Sequence, residues 1–141
     1  MINKEMNRLI TIFLFSVFFL ASMAGQTVPK ELVSAIREGD ASRMSDYFHQ
    51  SLEMTILEKD YDASKIQATR IMENFFKNHP PTDFSVSFEG TKDESKYAIG
   101  SLKTKDGQFR VNLFFLSKEG ARLIYYLSIE KETPYELSPR P

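Results

Sequence analysis

The sequence has 141 residues, the length of a single domain, and carries 18 Lys and Arg against 19 Asp and Glu, a formal net charge of −1. This balance lacks the basic excess typical of nucleic-acid-binding domains, so no nucleic-acid partner is predicted. Because Cys is absent, disulfide scaffolds, thiolate metal sites, Cys nucleophiles and a lipid anchor on cysteine are excluded.

The N-terminus has the pattern of a secretory signal. Basic residues within the first eight positions precede an apolar run over residues 9–21, and Ser22 and Ala24 fit the small-residue positions of a cleavage site. The run is shorter than the roughly 20 residues of a membrane-spanning helix. We therefore expect residues 1–25 to be removed as a signal peptide. The mature protein would be periplasmic or secreted, without a stable membrane anchor.

Two short helices are predicted at the start of the mature chain. Pro29 suits a first helical position, and Gly39 closes a helix of about residues 29–38. Asp40 is a good N-cap for a second helix. Apolar residues then repeat at helical spacing, namely Ala41, Met44, Tyr47 and Phe48.

A strand and a long helix follow. Leu52, Met54 and Ile56 alternate with other residues, which predicts a half-buried strand that ends at the turn-forming segment 60–62. Residues 63–79 form the longest predicted helix, stopped by two prolines. Its apolar stripe comprises Ile66, Ala68, Ile71, Met72, Phe75 and Phe76.

From residue 82 onward the pattern predicts only strands. Phe84, Val86 and Phe88 alternate with polar residues, and further strands are expected near 95–104, 108–117 and 121–131. Helices followed by a meander are typical of an α+β domain with helices on one face of an antiparallel sheet. The domain is expected over residues 26–133. Residues 134–141, rich in proline, are expected to form a loose tail.

Turn signals predict the register of the last three strands. An Asp106-Gly107 turn would pair Lys105 with Gln108, and a three-residue loop at 118–120 would pair Ser117 with Ala121. The face toward the helices then carries Phe109, Val111, Leu113, Phe115, Leu123, Tyr125, Leu127 and Ile129. The opposite face carries Arg110, Asn112, Phe114, Leu116, Ile124, Tyr126, Ser128 and Glu130.

Small residues on the inner face leave space under the helices. Ala98 and Gly100 would face Phe115 and Leu113, and the space could hold either a helix side chain or a cavity. A ligand-binding protein needs a pocket of roughly 300 Å³ or more. Cavity volume therefore distinguishes a ligand carrier from a filled scaffold.

This order of elements resembles the cone-shaped nuclear transport factor 2-like (cystatin-like) fold. Within that fold, the chain is similar to the exported family numbered 4783 among the domains of unknown function. The resemblance lies in Ala35-Ile36, Gly39-Asp40, Tyr47-Phe48, Ser64–Ala68, Phe75-Phe76, His79-Pro80, Tyr97–Gly100, Gly107–Val111 and Ile129-Glu130. It implies a fold and export but no activity. Relatives with the cone fold bind small apolar molecules, act as isomerases or dehydratases, or dimerise through the open sheet face.

The predicted inner face offers little for catalysis, since it has no carboxylate or His whose pKa burial could shift toward neutrality. No catalytic residue, metal site or cofactor is predicted, although enzymatic activity stays open. Tyr47, Phe75 and Tyr125 are the candidates for binding a small apolar ligand; alternatively, the tyrosines are amphipathic filler. His79, at the end of the long helix, is expected to interact with its last carbonyls. His49 has no assigned role.

The outer face is the stronger candidate for a functional surface. Arg110, Asn112, Phe114, Tyr126 and Glu130 combine charge with aromatic rings, as interfaces do. In the predicted register Arg110 lies opposite Ser128 and diagonal to Glu130; a cross-strand ion pair on a solvated sheet is the alternative reading. We expect an exported, non-catalytic interaction domain that forms a homodimer through this face. A small apolar ligand carrier or an isomerase-like enzyme using the cone is the second hypothesis.

Overall fold

A computed structural model of the chain describes residues 4, 6–9, 11, 28–118 and 121–133. The expected cleavage position and the C-terminal tail lie outside these residues. Residues 4, 6–9 and 11 are helical. In the described part of the chain, no helix has both the length and the apolar character needed to cross a membrane.

Three helices and six strands make up the described domain. The helices are α1 (Lys30–Glu38), α2 (Ala41–Ser45) and α3 (Lys65–Asn78). The strands are β1 (Phe48–Ile56), β2 (Lys59–Ser64), β3 (Pro81–Lys92), β4 (Ser95–Thr104), β5 (Gly107–Lys118) and β6 (Ala121–Lys131).

The predicted helix boundaries have local physical causes in the structure. Gly39 ends α1 in the left-handed conformation, with φ of 65°, and the Asp40 side chain accepts a hydrogen bond from the Arg43 N–H. Helix α3 begins later than predicted because Ser64 and Gln67 form a capping box. Ala63 therefore belongs to β2, and Phe48 begins β1 rather than ending α2.

The described strands form one sheet in the order β2-β1-β6-β5-β4-β3. Helices and sheet confirm the α+β class. The sheet is mixed, however, rather than wholly antiparallel, because β1 pairs with β6 in parallel. The first long strand thus lies beside the last one, which places the β1–β2 hairpin at one edge of the meander.

Strand β2 is absent from the sequence prediction. Residues 60–62 pair with β1 instead of breaking it, since Leu57 and Glu58 form the turn with φ of 50° and 70°. A two-residue turn of this kind normally contains Asn or Gly. Leu57 and Glu58 are neither Asn nor Gly, so the sequence did not predict this hairpin.

The β4–β5 hairpin is shifted by two residues from the predicted register. Thr104 pairs with Gly107, so Lys105 and Asp106 form the turn. The Thr104 hydroxyl donates to the Gly107 carbonyl at 2.9 Å and accepts from the Asp106 N–H at 3.2 Å. Because side chains alternate with a period of two, this shift leaves every predicted face unchanged.

The β5–β6 pairing does change a face. Lys118 pairs with Ala121, and the loop residues 119–120 lie outside the described part. A register shift opposite Phe114 and Phe115 makes Tyr125 the extra residue on β6. Ile124 is consequently buried in the core, while Tyr125 lines the outer side. The predicted faces of these two residues were therefore wrong, and so was that of Leu123, which pairs with the outer residue Leu116.

A second register shift, in β3, determines which side chain fills the space that the small residues of β4 leave under the helices. It lies between Val86 and Phe88, so Phe88 turns to the outer face and is 52% exposed. Phe84 stays inside, where an added Cβ on Gly100 would lie 2.5 Å from its ring. The space that Gly100 leaves is thus filled by a strand side chain.

The core lies between the helices and the inner face of the sheet. Its inward strand residues include Leu52, Met54, Ala98, Leu102, Phe109, Val111, Leu113, Phe115, Leu127 and Ile129. Helix α3 contributes Ala68, Met72, Phe75 and Phe76, as predicted. Ile66 does not take part in this stripe and is 69% exposed.

Candidate functional site

The outer face of the sheet contains a concavity of about 590 Å³. All five residues predicted as an interface line it, namely Arg110, Asn112, Phe114, Tyr126 and Glu130. Five further residues complete the lining: Glu53, Tyr97, Ile99, Tyr125 and Ser128. Of these, Ser128 was predicted on this face and Tyr125 on the opposite one, whereas Glu53, Tyr97 and Ile99 were not predicted. Tyr97 and Ile99 follow from the alternation of β4, whereas Glu53 requires knowledge that β1 lies beside β6.

Aromatic rings form one wall of the concavity, with Phe114 at their centre. The Phe114 ring stacks on Tyr97 with centroids 5.4 Å apart, and meets Tyr126 edge-on at 5.6 Å. Tyr125 contacts the same ring edge-on at 6.3 Å. These offset and T-shaped geometries are the favourable ones for aromatic pairs. The four rings therefore pack against one another within the single chain.

Polar groups beside the rings are held in place by hydrogen bonds. Asn112 Nδ2 donates to Ser128 Oγ at 2.8 Å, and Ser128 is only 2% exposed. The Tyr125 hydroxyl and Ser95 Oγ share a hydrogen bond of 2.8 Å. The Asn112–Ser128 pair satisfies a buried hydroxyl, which would otherwise destabilise the sheet.

Arg110 has no comparable partner. It lies opposite Glu130 on β6 rather than opposite Ser128, which corrects the predicted register. Despite this pairing, Arg110 and Glu130 form no ion pair among the described residues. The Nε atom of Arg110 is buried and makes no hydrogen bond. A buried N–H without an acceptor is costly, so Arg110 Nε is an unsatisfied donor beneath the outer face.

The three predicted ligand-binding residues are not brought together. Tyr47 follows α2, and its carbonyl accepts a hydrogen bond from the Ile124 N–H at 2.7 Å. Phe75 is buried on α3, and Tyr125 lies on the other side of the sheet. The bulge at Tyr125 separates the set, so these residues do not line a common cone cavity.

Neither histidine belongs to the outer concavity. The His79 ring packs against Phe75 and Phe109, with centroids 4.9 and 5.1 Å away, instead of against helix carbonyls. Its Nδ1 lies 3.4 Å from Asp106 Oδ2, without the geometry of a hydrogen bond. His49 is paired locally with Ser51. Among the described residues, no three side chains of His, Asp or Glu converge as metal ligands.

Solved structures identify the class of fold. A nuclear transport factor 2-like protein of unknown function from Silicibacter pomeroyi superposes with a TM-score of 0.56 at 15% identity, over 73% of this chain and 88% of that one. At this identity the likeness shows the fold alone. The chain has the nuclear transport factor 2-like, or cystatin-like, α+β fold that its sequence resembles.

Within that fold, the chain belongs to the family described as a domain of unknown function, DUF4783, whose model matches residues 29–130. A family member from Bacteroides uniformis is 34% identical, with a TM-score of 0.71 over 76% of this chain and 99% of that one. One from Bacteroides ovatus is 30% identical, with a TM-score of 0.72 over 77% and 99%. No curated protein matches the sequence significantly.

Proposed function

We propose that this protein is an exported, non-catalytic interaction domain whose outer sheet face joins two copies into a dimer. The observation that carries the proposal is that all five sequence-predicted interface residues line one concavity, on the side of the sheet away from the core. A binding surface on this side leaves the packing under the helices undisturbed.

The composition of the concavity supports a protein partner. Four of its ten lining residues are Tyr or Phe, one is Arg, and none is Lys. Interfaces are enriched in aromatic residues and Arg and depleted in Lys. Phe88 and Leu116 flank the concavity and are 52% and 42% exposed. They supply protruding apolar groups that the concavity of a second copy can receive.

Charge supports a second copy as that partner. Arg110 and Glu130 have opposite charges, occupy paired positions on β5 and β6, and form no ion pair in the described chain. A two-fold axis between them would bring Arg110 of each copy against Glu130 of the other, because such an interface is self-complementary.

The alternative of a ligand carrier or isomerase using the cone has less support. Phe84 fills the space beside Gly100, and Tyr125 faces away from Phe75 and Tyr47. The features that favoured a cone ligand in the sequence are therefore dispersed in the fold.

A charge-reversal experiment tests the proposed contact. Arg110→Glu alone and Glu130→Arg alone should each abolish dimerisation, because like charges would then face each other at two symmetric contacts. Mixing the two variants should restore a dimer containing one chain of each. Lys77→Glu on the exposed side of α3 is the control and should leave association unchanged. Undiminished self-association of both variants, or failure of the mixture to associate, would refute the contact; native mass spectrometry distinguishes these outcomes.

The proposed export rests on the N-terminal pattern of basic residues, apolar run and small residues. We expect protein recovered from its native cell to lack about 24 or 25 residues, the span that such a signal occupies. Mass analysis of the N-terminus checks this, and an intact Met1 on membrane-embedded protein would contradict it.

A further inference from the structure

A second concavity, independent of the outer face, lies between α3 and the inner side of the β1–β2 hairpin. Its volume is about 470 Å³. Ile56 and Phe75 are buried in its floor, and Ile71 and Tyr61 are half-buried in its walls. We name it the basic cleft after Lys59 and Arg70 in its lining. It is apolar at its base and opens to solvent.

The rim of the basic cleft carries nitrogen donors. Lys59 lies on the hairpin side, and Arg70, Asn74 and Asn78 follow one another at four-residue spacing along α3. Residues four apart lie on the same side of a helix, so these three side chains form a row. Within the described residues, no hydrogen bond or ion pair occupies the side-chain donors of this row. Lys59 Nζ lies 5.4 Å from the centroid of the Tyr61 ring, above the cleft wall.

No carboxylate lines the basic cleft. Four other concavities on the described surface each contain at least one Asp or Glu, as expected for a chain with a net charge of −1. Nearby carboxylates lie outside the lining: Asp60 and Asp62 share a neighbouring concavity with Arg70, and Asp106 Oδ2 lies 3.4 Å from Nδ1 of the lining residue His79. The two cationic side chains of the lining attract anions into the cleft. The charge of this cleft is therefore complementary to an anion and opposed to a cation.

We propose that the basic cleft binds a small organic anion with an apolar body, such as a medium-chain carboxylate. Lys59 and Arg70 contact the carboxylate, which accepts charge-assisted hydrogen bonds from them. The chain of the ligand lies over Ile71 and Phe75. Leu57, a rim residue that is 41% exposed, adds apolar surface beside it. This site is separate from the outer face and does not depend on dimer formation.

Decanoate is the probe for this site, with decylammonium as the matched ligand of opposite charge. Calorimetric titration of the exported protein should detect decanoate binding and no decylammonium binding. The double variant Lys59→Gln/Arg70→Gln should weaken decanoate binding about tenfold or more, since two charge-assisted contacts are lost. Lys77→Gln, on α3 outside the cleft, should leave it unchanged. Lys59 and Arg70 are exposed, so these variants should keep the fold, which circular dichroism verifies.

A second variant tests the apolar part of the site. Leu57→Ser should weaken decanoate binding while barely affecting any binding of acetate, which has no chain to bury. Phe114→Ser/Tyr126→Lys on the outer face should retain decanoate affinity. The proposal is overturned if decanoate does not bind, if decylammonium binds equally well, or if the double variant binds decanoate as tightly as the unmodified protein.

Discussion

Phe115 illustrates, at the scale of one residue, how the two faces of the sheet differ. It is 1% exposed, whereas Leu116, its neighbour on β5, is 42% exposed. Both are large apolar residues, so composition alone does not separate them. Alternation along the strand does, and this assignment survived both errors in register because β5 itself contains no extra residue.

Phe115→Ala should therefore lower the free energy of unfolding by about 3–5 kcal/mol, since it removes a buried ring and leaves a cavity. Ile66→Ala, at a position of α3 that is 69% exposed, is the control and should change the free energy of unfolding by under about 0.5 kcal/mol, as is usual for surface positions. Urea denaturation of both variants measures the difference. A loss below about 1 kcal/mol for Phe115→Ala would mean that its ring lies outside the core.

Strands β3 and β6 show, at the scale of the element, what sequence patterns miss. Each contains an extra residue that moves an aromatic side chain, Phe88 or Tyr125, to the outer side. A bulge interrupts alternation without a compulsory sequence signal. Helix α1 was predicted closely because Gly39 marks its end, whereas the end of α2 and the start of α3 were each misplaced by two or three residues. The β1–β2 hairpin was not predicted, since its turn is formed by Leu57 and Glu58.

The contact between β3 and β4 is testable through Gly100. An alanine there would place its Cβ 2.5 Å from the Phe84 ring and 3.0 Å from the Ser85 carbonyl oxygen. Gly100→Ala should lower the free energy of unfolding by about 1–3 kcal/mol, because the added methyl group overpacks the core. Phe84→Leu should be less destabilising in the Gly100→Ala background than alone, because the smaller side chain relieves the clash. Additive effects in this double-mutant cycle, followed by thermal denaturation, would show that the two residues do not compete for space.

At the scale of the whole molecule, the sequence predicted the α+β class, the side on which the helices pack and the five residues that share the outer concavity. It did not predict the parallel β1–β6 pair, which brings Glu53 beside Tyr126 and completes that concavity. Pairing between strands more than sixty residues apart depends on the closure of the entire sheet. Local patterns do not encode it, so Glu53 joins the lining only in the structure.

The proposed dimer depends on the aromatic wall of the outer face. Replacing Phe114 with Ser and Tyr126 with Lys removes two of its aromatic rings and adds a charge. Both residues are only half-buried and lie outside the core cluster. The doubly substituted chain should therefore stay folded, and circular dichroism checks this.

Light scattering across a concentration series, on the unmodified protein and on this variant, tests the proposed dimer most directly. We expect the mass of a dimer for the unmodified protein at high micromolar concentration and the mass of a folded monomer for the variant. A monomeric mass for the unmodified protein throughout the series, or a dimeric mass for the variant, would contradict self-association through this face.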